Sequence, residues 1–117
     1  MDESFLGNWA TQLRKGILEY CVLSALAEAP LYGYDIVRQL RDIECLVISE
    51  GTIYPILSRL KKEGLVDTYL EESPEGPARK YYRLTARGKA MLEKMKAAWT
   101  DITAGVRRAC GLKGTEE

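Results

Sequence analysis

Histidine is absent from this chain of 117 residues. With it goes the side chain that most often moves protons at neutral pH and most often ligates metals. There is no glycine-rich phosphate loop, and no pair of carboxylates shares one face beside a polar pocket. Acid-base and nucleophilic catalysis therefore lack their usual machinery, and an enzyme is not expected. Cysteine is scarce as well. Cys21, Cys45 and Cys110 are odd in number and lack zinc-ligand spacing, which fits free thiols in a reducing compartment, with no metal and no cofactor. Long hydrophobic runs are missing too. The most apolar window, residues 17–31, is interrupted by Glu19 and Glu28, and no basic segment with a cleavage site precedes it. A cytoplasmic protein without a membrane partner is the expectation. Net charge is lacking last of all: 17 basic and 17 acidic side chains cancel. That balance argues against indiscriminate coating of nucleic acid and leaves everything to the placement of the charges.

The placement is uneven. Residues 52–89 carry eight cations, among them Arg59, Lys61, Lys62, Arg79, Lys80 and Arg83, against five acids, a mild local excess of the sign that steers a phosphate backbone. The same arrangement also describes a solvated surface of mixed charge. Within this region the stretch 51–63, GTIYPILSRLKKE, puts Ile53, Ile56, Leu57 and Leu60 on one helical face. Its other side gathers Gly51, Pro55, Ser58 and Lys62, flanked by Thr52, Tyr54, Arg59 and Lys61, a combination of small, hydroxyl, aromatic and cationic groups that solubility alone does not require. Gly64 predicts the end of this helix. Ser49 is a plausible cap, and Pro55 is tolerated at little cost if the helix begins near Thr52, whereas a start at Glu50 would force a kink.

Around this helix the rest of the chain falls into place. Residues 1–7 show no period, and a first helix is expected from Asn8 to about Glu28, where Pro30 ends it. Its apolar positions, Leu13 and Ile17 among them, cover more of the circumference than one neighbour can bury. Trp9 near its start is a packing anchor, a lid or a ligand contact. LYGYDIVRQLRDI, from residue 31, gives a clean apolar face of Ile36, Val37, Leu40 and Ile43, a supporting helix. Leu46 to Ile48 is expected as a short edge strand or an extended loop. Leu65–Glu72 and Arg79–Leu84 read as two strands of a hairpin, with Tyr82 and Leu84 on one face and Arg79, Tyr81 and Arg83 on the other. Thr85 looks like the N-cap of a last helix in which Gly88 is an awkward early member. There Met91, Met95, Ala98, Trp99, Ile102 and Val106 form an apolar stripe too long for a small domain to bury, so packing against a second copy is expected.

Three segments, LYGYDIVRQL, GTIYPILSRLKKEGLV and ARKYYRLTARG, stand in this order at separations that resemble those of the PadR family of transcriptional regulators. The resemblance spans about Leu13 to Ala109 and points to the short members that end in a single dimerisation helix. It implies a mainly helical α+β fold: a winged helix-turn-helix domain over 8–84 with a two-stranded wing, a C-terminal dimerisation helix over 85–110, and flexible termini at 1–7 and 111–117. It also implies a homodimeric repressor of a double-stranded DNA operator, relieved by a small effector. Thr52, Tyr54, Ser58, Arg59 and Lys62 become candidates for the groove or adjacent phosphates, and Arg79 and Lys80 for wing contacts. Arg59, with its fork of donors, suits guanine best. Leu13, Ile17, Met91, Met95, Ala98, Trp99, Ile102 and Val106 are the expected dimer interface. In drug-sensing relatives a tryptophan matching Trp99 sandwiches flat apolar molecules across a central pore. Trp99, with Trp9, is thus a candidate ligand contact as well as interface packing, although Lys96 stands where those relatives carry another aromatic. The competing expectation is a winged-helix module that binds a protein and has no specific DNA site.

Overall fold

The computed structural model describes residues 2–111. The chain runs α1 (Asp2–Ala25), β1 (Leu31–Tyr32), α2 (Gly33–Arg41), a 3₁₀ turn (Glu44–Leu46), α3 (Glu50–Lys62), β2 (Val66–Ser73), β3 (Gly76–Leu84) and α4 (Ala86–Ala109). The strands form one antiparallel sheet in the order β1-β3-β2. Leu31 lies opposite Tyr82, and Val66 opposite Leu84. Helices α2 and α3 pack against that sheet, and α1 packs against α2, α3 and α4. Their meeting surfaces are Val22 and Leu23 from α1 with Leu26 just beyond its end, Ile36, Val37 and Leu40 from α2, and Ile53, Leu57 and Leu60 from α3, closed by Val66, Tyr82 and Leu92. Each set repeats every three or four residues, which is why three short amphipathic segments suffice for one core.

Several sequence expectations need correction. Helix α1 begins at Asp2, not Asn8, and ends at Ala25, five residues before Pro30. Phe5, Leu6, Trp9 and Leu13 recur along it at helical spacing, so the segment expected to fray continues the same helix. The third strand is Leu31–Tyr32, and Leu46–Ile48 is no strand: Glu44–Leu46 is a 3₁₀ turn closed by Val47 in the left-handed region at φ 54°. The wing strands were placed to within a few residues. The tail expected to be flexible lies, from residue 112 onward, outside the described residues, as does Met1.

Helix α3 starts at Glu50 and runs through Pro55 to Lys62 without interruption, so the proline sits in its second turn. Pro55 has no amide to offer the Gly51 carbonyl, and Gly51 is an exposed residue. Ahead of it, the Thr52 hydroxyl accepts from the Ser49 amide at 2.9 Å and donates to the Ser49 carbonyl at 2.7 Å, fixing the entry to the helix. At the far end Gly64 takes φ 79°, with Gly64 N–H bonded to Lys61 O and Leu65 N–H to Leu60 O. This paired closure stops the helix as expected. Thr85 caps α4 by accepting from Gly88 N–H at 3.0 Å, and its own hydroxyl donates to Gly64 O at 2.7 Å. The start of α4 is thereby tied to the end of α3. A Cβ on Gly88 would lie 1.9 Å from the Leu65 carbonyl oxygen, which explains the glycine that looked awkward in the sequence.

Candidate nucleic-acid interface

Helix α3 buries Ile53, Leu57 and Leu60 and leaves Gly51, Pro55, Ser58, Lys61 and Lys62 exposed. The division follows from the 100° step of the helix, which places Ser58 and Lys62 opposite the core. A basic last turn of Arg59, Lys61 and Lys62 adds cations where the helix dipole favours them. Ser58 and Lys62 are thus available to a partner without rearrangement. Thr52 and Tyr54 are placed differently. The Thr52 hydroxyl is engaged in the helix entry described above, although the residue remains exposed. The Tyr54 ring is half-buried against Gly33, whose missing side chain makes room for it: a Cβ there would meet the ring at 3.1 Å. Burial is the main reason that the Tyr54 hydroxyl is raised above its usual pKa, with Glu50 and the neighbouring tyrosines adding to it. Tyr54 therefore buttresses α3 on α2.

Arg59 lies on the flank of α3 that faces α1, where it forms an ion pair with Glu19. The Arg59 side chain stays mostly exposed at 61%, while that of Glu19 is only 24% exposed. Sequence reasoning named the arginine and missed its partner, because a contact across forty positions leaves no periodic trace.

In the wing, a two-residue turn at Pro74–Glu75 joins β2 to β3, and Gly76 at φ 129° permits the tight return. Arg79 and Lys80, both exposed, project from opposite faces, as successive strand residues must. On the face away from the core, the rings of Tyr32, Tyr81 and Tyr69 line up with centroids 6.0 and 5.5 Å apart. Arg79 lies over Tyr32 at 4.9 Å and Arg83 over Tyr69 at 4.8 Å, and Arg83 Nε also donates to Asp67 at 2.8 Å. This arginine–tyrosine stack stiffens the wing by cation–π contact across all three strands. The expected division of the hairpin into a Tyr82 face and an Arg79–Tyr81–Arg83 face holds.

A second feature lies on the other side of α1. Leu13, Ile17, Met95, Ala98, Trp99 and Ile102 line an open cleft of about 430 Å³ between α1 and α4, with Gln12, Gly16 and Tyr20. Tyr20 and Trp99 meet there, centroids 6.1 Å apart. Of the expected interface residues, Met91 and Met95 already pack against the core, while Leu13 (49%), Trp99 (40%), Ile102 (60%) and Val106 (51%) remain exposed. Trp9 is one turn further along α1, more than half exposed and outside the lining of the cleft. Within one chain it packs as neither anchor nor lid. Phe5 and Leu6 extend the same exposed stripe, and Phe5 stands at a four-residue spacing from Trp9, Leu13 and Ile17.

Among the described residues no cluster of side chains suits a metal ion, and no helix is long and apolar enough to cross a membrane. A model of the "Transcriptional regulator PadR-like family" matches residues 22–94. The chain is 33% identical to a PadR family transcriptional regulator from Eggerthella lenta, with a TM-score of 0.80 over 92% of this chain and 94% of that one. A PadR-like transcriptional regulator from Bacillus cereus is 36% identical, with a TM-score of 0.76 over 87% of this chain and 99% of the other. PadR of Bacillus subtilis, solved in complex with operator DNA, is 30% identical with a TM-score of 0.59, the match covering 68% of this chain and 46% of that longer one.

Proposed function

The chain belongs to the PadR-like family of transcriptional regulators, which are not enzymes, and from that premise we propose that it is a homodimeric repressor of a DNA operator, released by a small flat apolar molecule. Helix α3 enters the major groove with Ser58, Arg59 and Lys62, and the wing follows the adjoining backbone with Arg79 and Lys80. Two copies join through α1 and α4 and present their α3 helices to successive turns of duplex. The observation that carries the reading is the outer face of α3. It is cationic and exposed, its opposite face is core, and it is fixed at both ends by the Ser49–Thr52 and Gly64 closures, so a rigid helix is offered outward. The operator-bound relative from Bacillus subtilis supports the same orientation of function.

Relief by an effector follows from the cleft between α1 and α4. Its walls are largely apolar, and Trp99 and Tyr20 supply aromatic faces for stacking a planar molecule. A mobility-shift assay on the DNA upstream of the protein's own coding sequence tests the reading. A discrete band that survives excess competitor DNA at moderate salt is expected. Its absence overturns the repressor and favours a winged-helix module that binds a protein instead.

A further inference from the structure

Among the described residues, Glu19 is the acidic side chain that forms an ion pair with α3 from another helix, on the flank that faces α1. We propose that Glu19 is a specificity-determining positioning residue: held by α1, it fixes the Arg59 guanidinium so that its remaining donors read a base in the DNA groove. This rests on the DNA-binding reading above and deepens it.

The pair is asymmetric. Arginine is long and has many rotamers, and the Arg59 side chain is 61% exposed, with Glu19 its one ion-pair partner among the described residues. The carboxylate is the fixed half. Glu19 is half-buried on α1 between Leu18, which is buried, and Tyr20, which packs on the core and on Trp99. The pair engages one end of the guanidinium, whose five N–H donors exceed what one carboxylate oxygen can accept. Two adjacent donors on one edge are what a bidentate contact with guanine needs. Fixing such a side chain beforehand spares the entropy that would otherwise be lost on binding.

Charge leads to the same role. A guanidinium paired with a carboxylate adds no net charge to the surface, so it contributes little to the counterion release that drives sequence-independent binding. Lys61 and Lys62, each exposed and outside every ion pair of the described residues, are suited to phosphates. Arg59 is instead suited to selecting sequence. The two halves of recognition are thus divided among neighbouring positions of one helix turn.

The test uses the full chain and the duplex that the wild-type protein retains from a random-sequence pool, with shuffled duplex as the reference. In Glu19→Gln the preference for the retained duplex over the shuffled one falls by about two- to tenfold, the weight of one side chain that must now be immobilised on binding. Affinity for shuffled duplex rises at the same time, and the slope of log K against log salt steepens by roughly 0.9, one newly unpaired cation. A lower affinity for the retained duplex together with a higher one for the shuffled duplex is expected, and neither a merely structural role nor the loss of one negative charge gives that combination. Glu19→Asp, which keeps the charge on a shorter arm, recovers part of the preference, and in an Arg59→Ala background Glu19→Gln changes the preference no further. An unchanged or increased preference in Glu19→Gln overturns the proposal, as does a parallel loss on both duplexes. Should the wild-type chain retain no duplex from the pool, the DNA-binding reading itself fails, and this proposal with it.

Discussion

At the scale of single residues, the structure separates side chains that hold α3 in place from those that are free to meet a partner. Thr52 and Tyr54 stand in the most recognisable part of the chain, yet one closes the entry of the helix and the other fills the space over Gly33. Ser58 and Lys62 are bare. A similar separation applies to the two tryptophans. Trp99 lies in the cleft against Tyr20, and Trp9 does not. Binding of a flat apolar dye is therefore expected to quench fluorescence through Trp99 alone. In Trp99→Ala the quenching disappears, and in Trp9→Ala it stays, as followed by titration of the intrinsic emission. Quenching that survives in Trp99→Ala would remove the cleft as the effector site. Which residues would play these parts was only half legible in the sequence. Spacing alone identified the outward residues of α3, because period 3.6 reports which side is core. It could not report that Thr52 caps its own helix or that Glu19 pairs with Arg59, since both depend on the conformation or position of a partner.

At the scale of elements, the junction between α3, the wing and α4 is where the chain is least tolerant. The end of α3, the residue just before β2 and the first turn of α4 meet at Gly64, Leu65, Thr85 and Gly88, joined by Thr85 N–H to Leu65 O at 3.1 Å as well as by the Thr85 hydroxyl. Gly88 lets α4 press directly on the Leu65 carbonyl. Gly88→Ala puts a methyl group into backbone that cannot move aside as a side chain would, and a loss of about 1–3 kcal/mol is expected, as over-packing costs elsewhere. Urea melts should show a lower midpoint at unchanged slope. A midpoint equal to wild type would mean that α4 does not sit on Leu65. The helices and the hairpin were visible beforehand because each is long enough to show its period. Strand β1 has two residues and no period, and only its pairing with Tyr81 and Tyr82 makes it a strand. The start of α1 was misplaced for a different reason. Its first turns bury nothing within the chain, so the stripe of Phe5, Leu6, Trp9 and Leu13 reads as helix only once an outside partner is allowed for.

At the scale of the whole molecule, that unburied stripe is the largest departure from what one folded chain requires. Phe5, Leu6, Trp9 and Leu13 on α1, together with Trp99, Ile102 and Val106 on α4, leave exposed large apolar side chains along two helices that also form the cleft. Monomeric proteins seldom expose a contiguous patch of this kind, and a self-complementary surface is the simplest way to cover it. Joining two copies here would also set the distance between two α3 helices, so that half-sites about one turn of duplex, roughly 34–36 Å, apart are engaged together. Each half would then raise the effective concentration of the other. Ile102→Glu is the discriminating variant, since Ile102 is 60% exposed and outside the core, so a charge there leaves the fold of one chain intact. Wild type is expected to sediment as a dimer and to melt at a temperature that rises with protein concentration. The variant is expected to sediment as a monomer with unchanged far-ultraviolet circular dichroism, to lose the concentration dependence, and to bind the retained duplex far more weakly. A wild-type monomer, or a variant that still dimerises, would show that α1 and α4 are covered by something other than a second copy, and the paired presentation of α3 would fall.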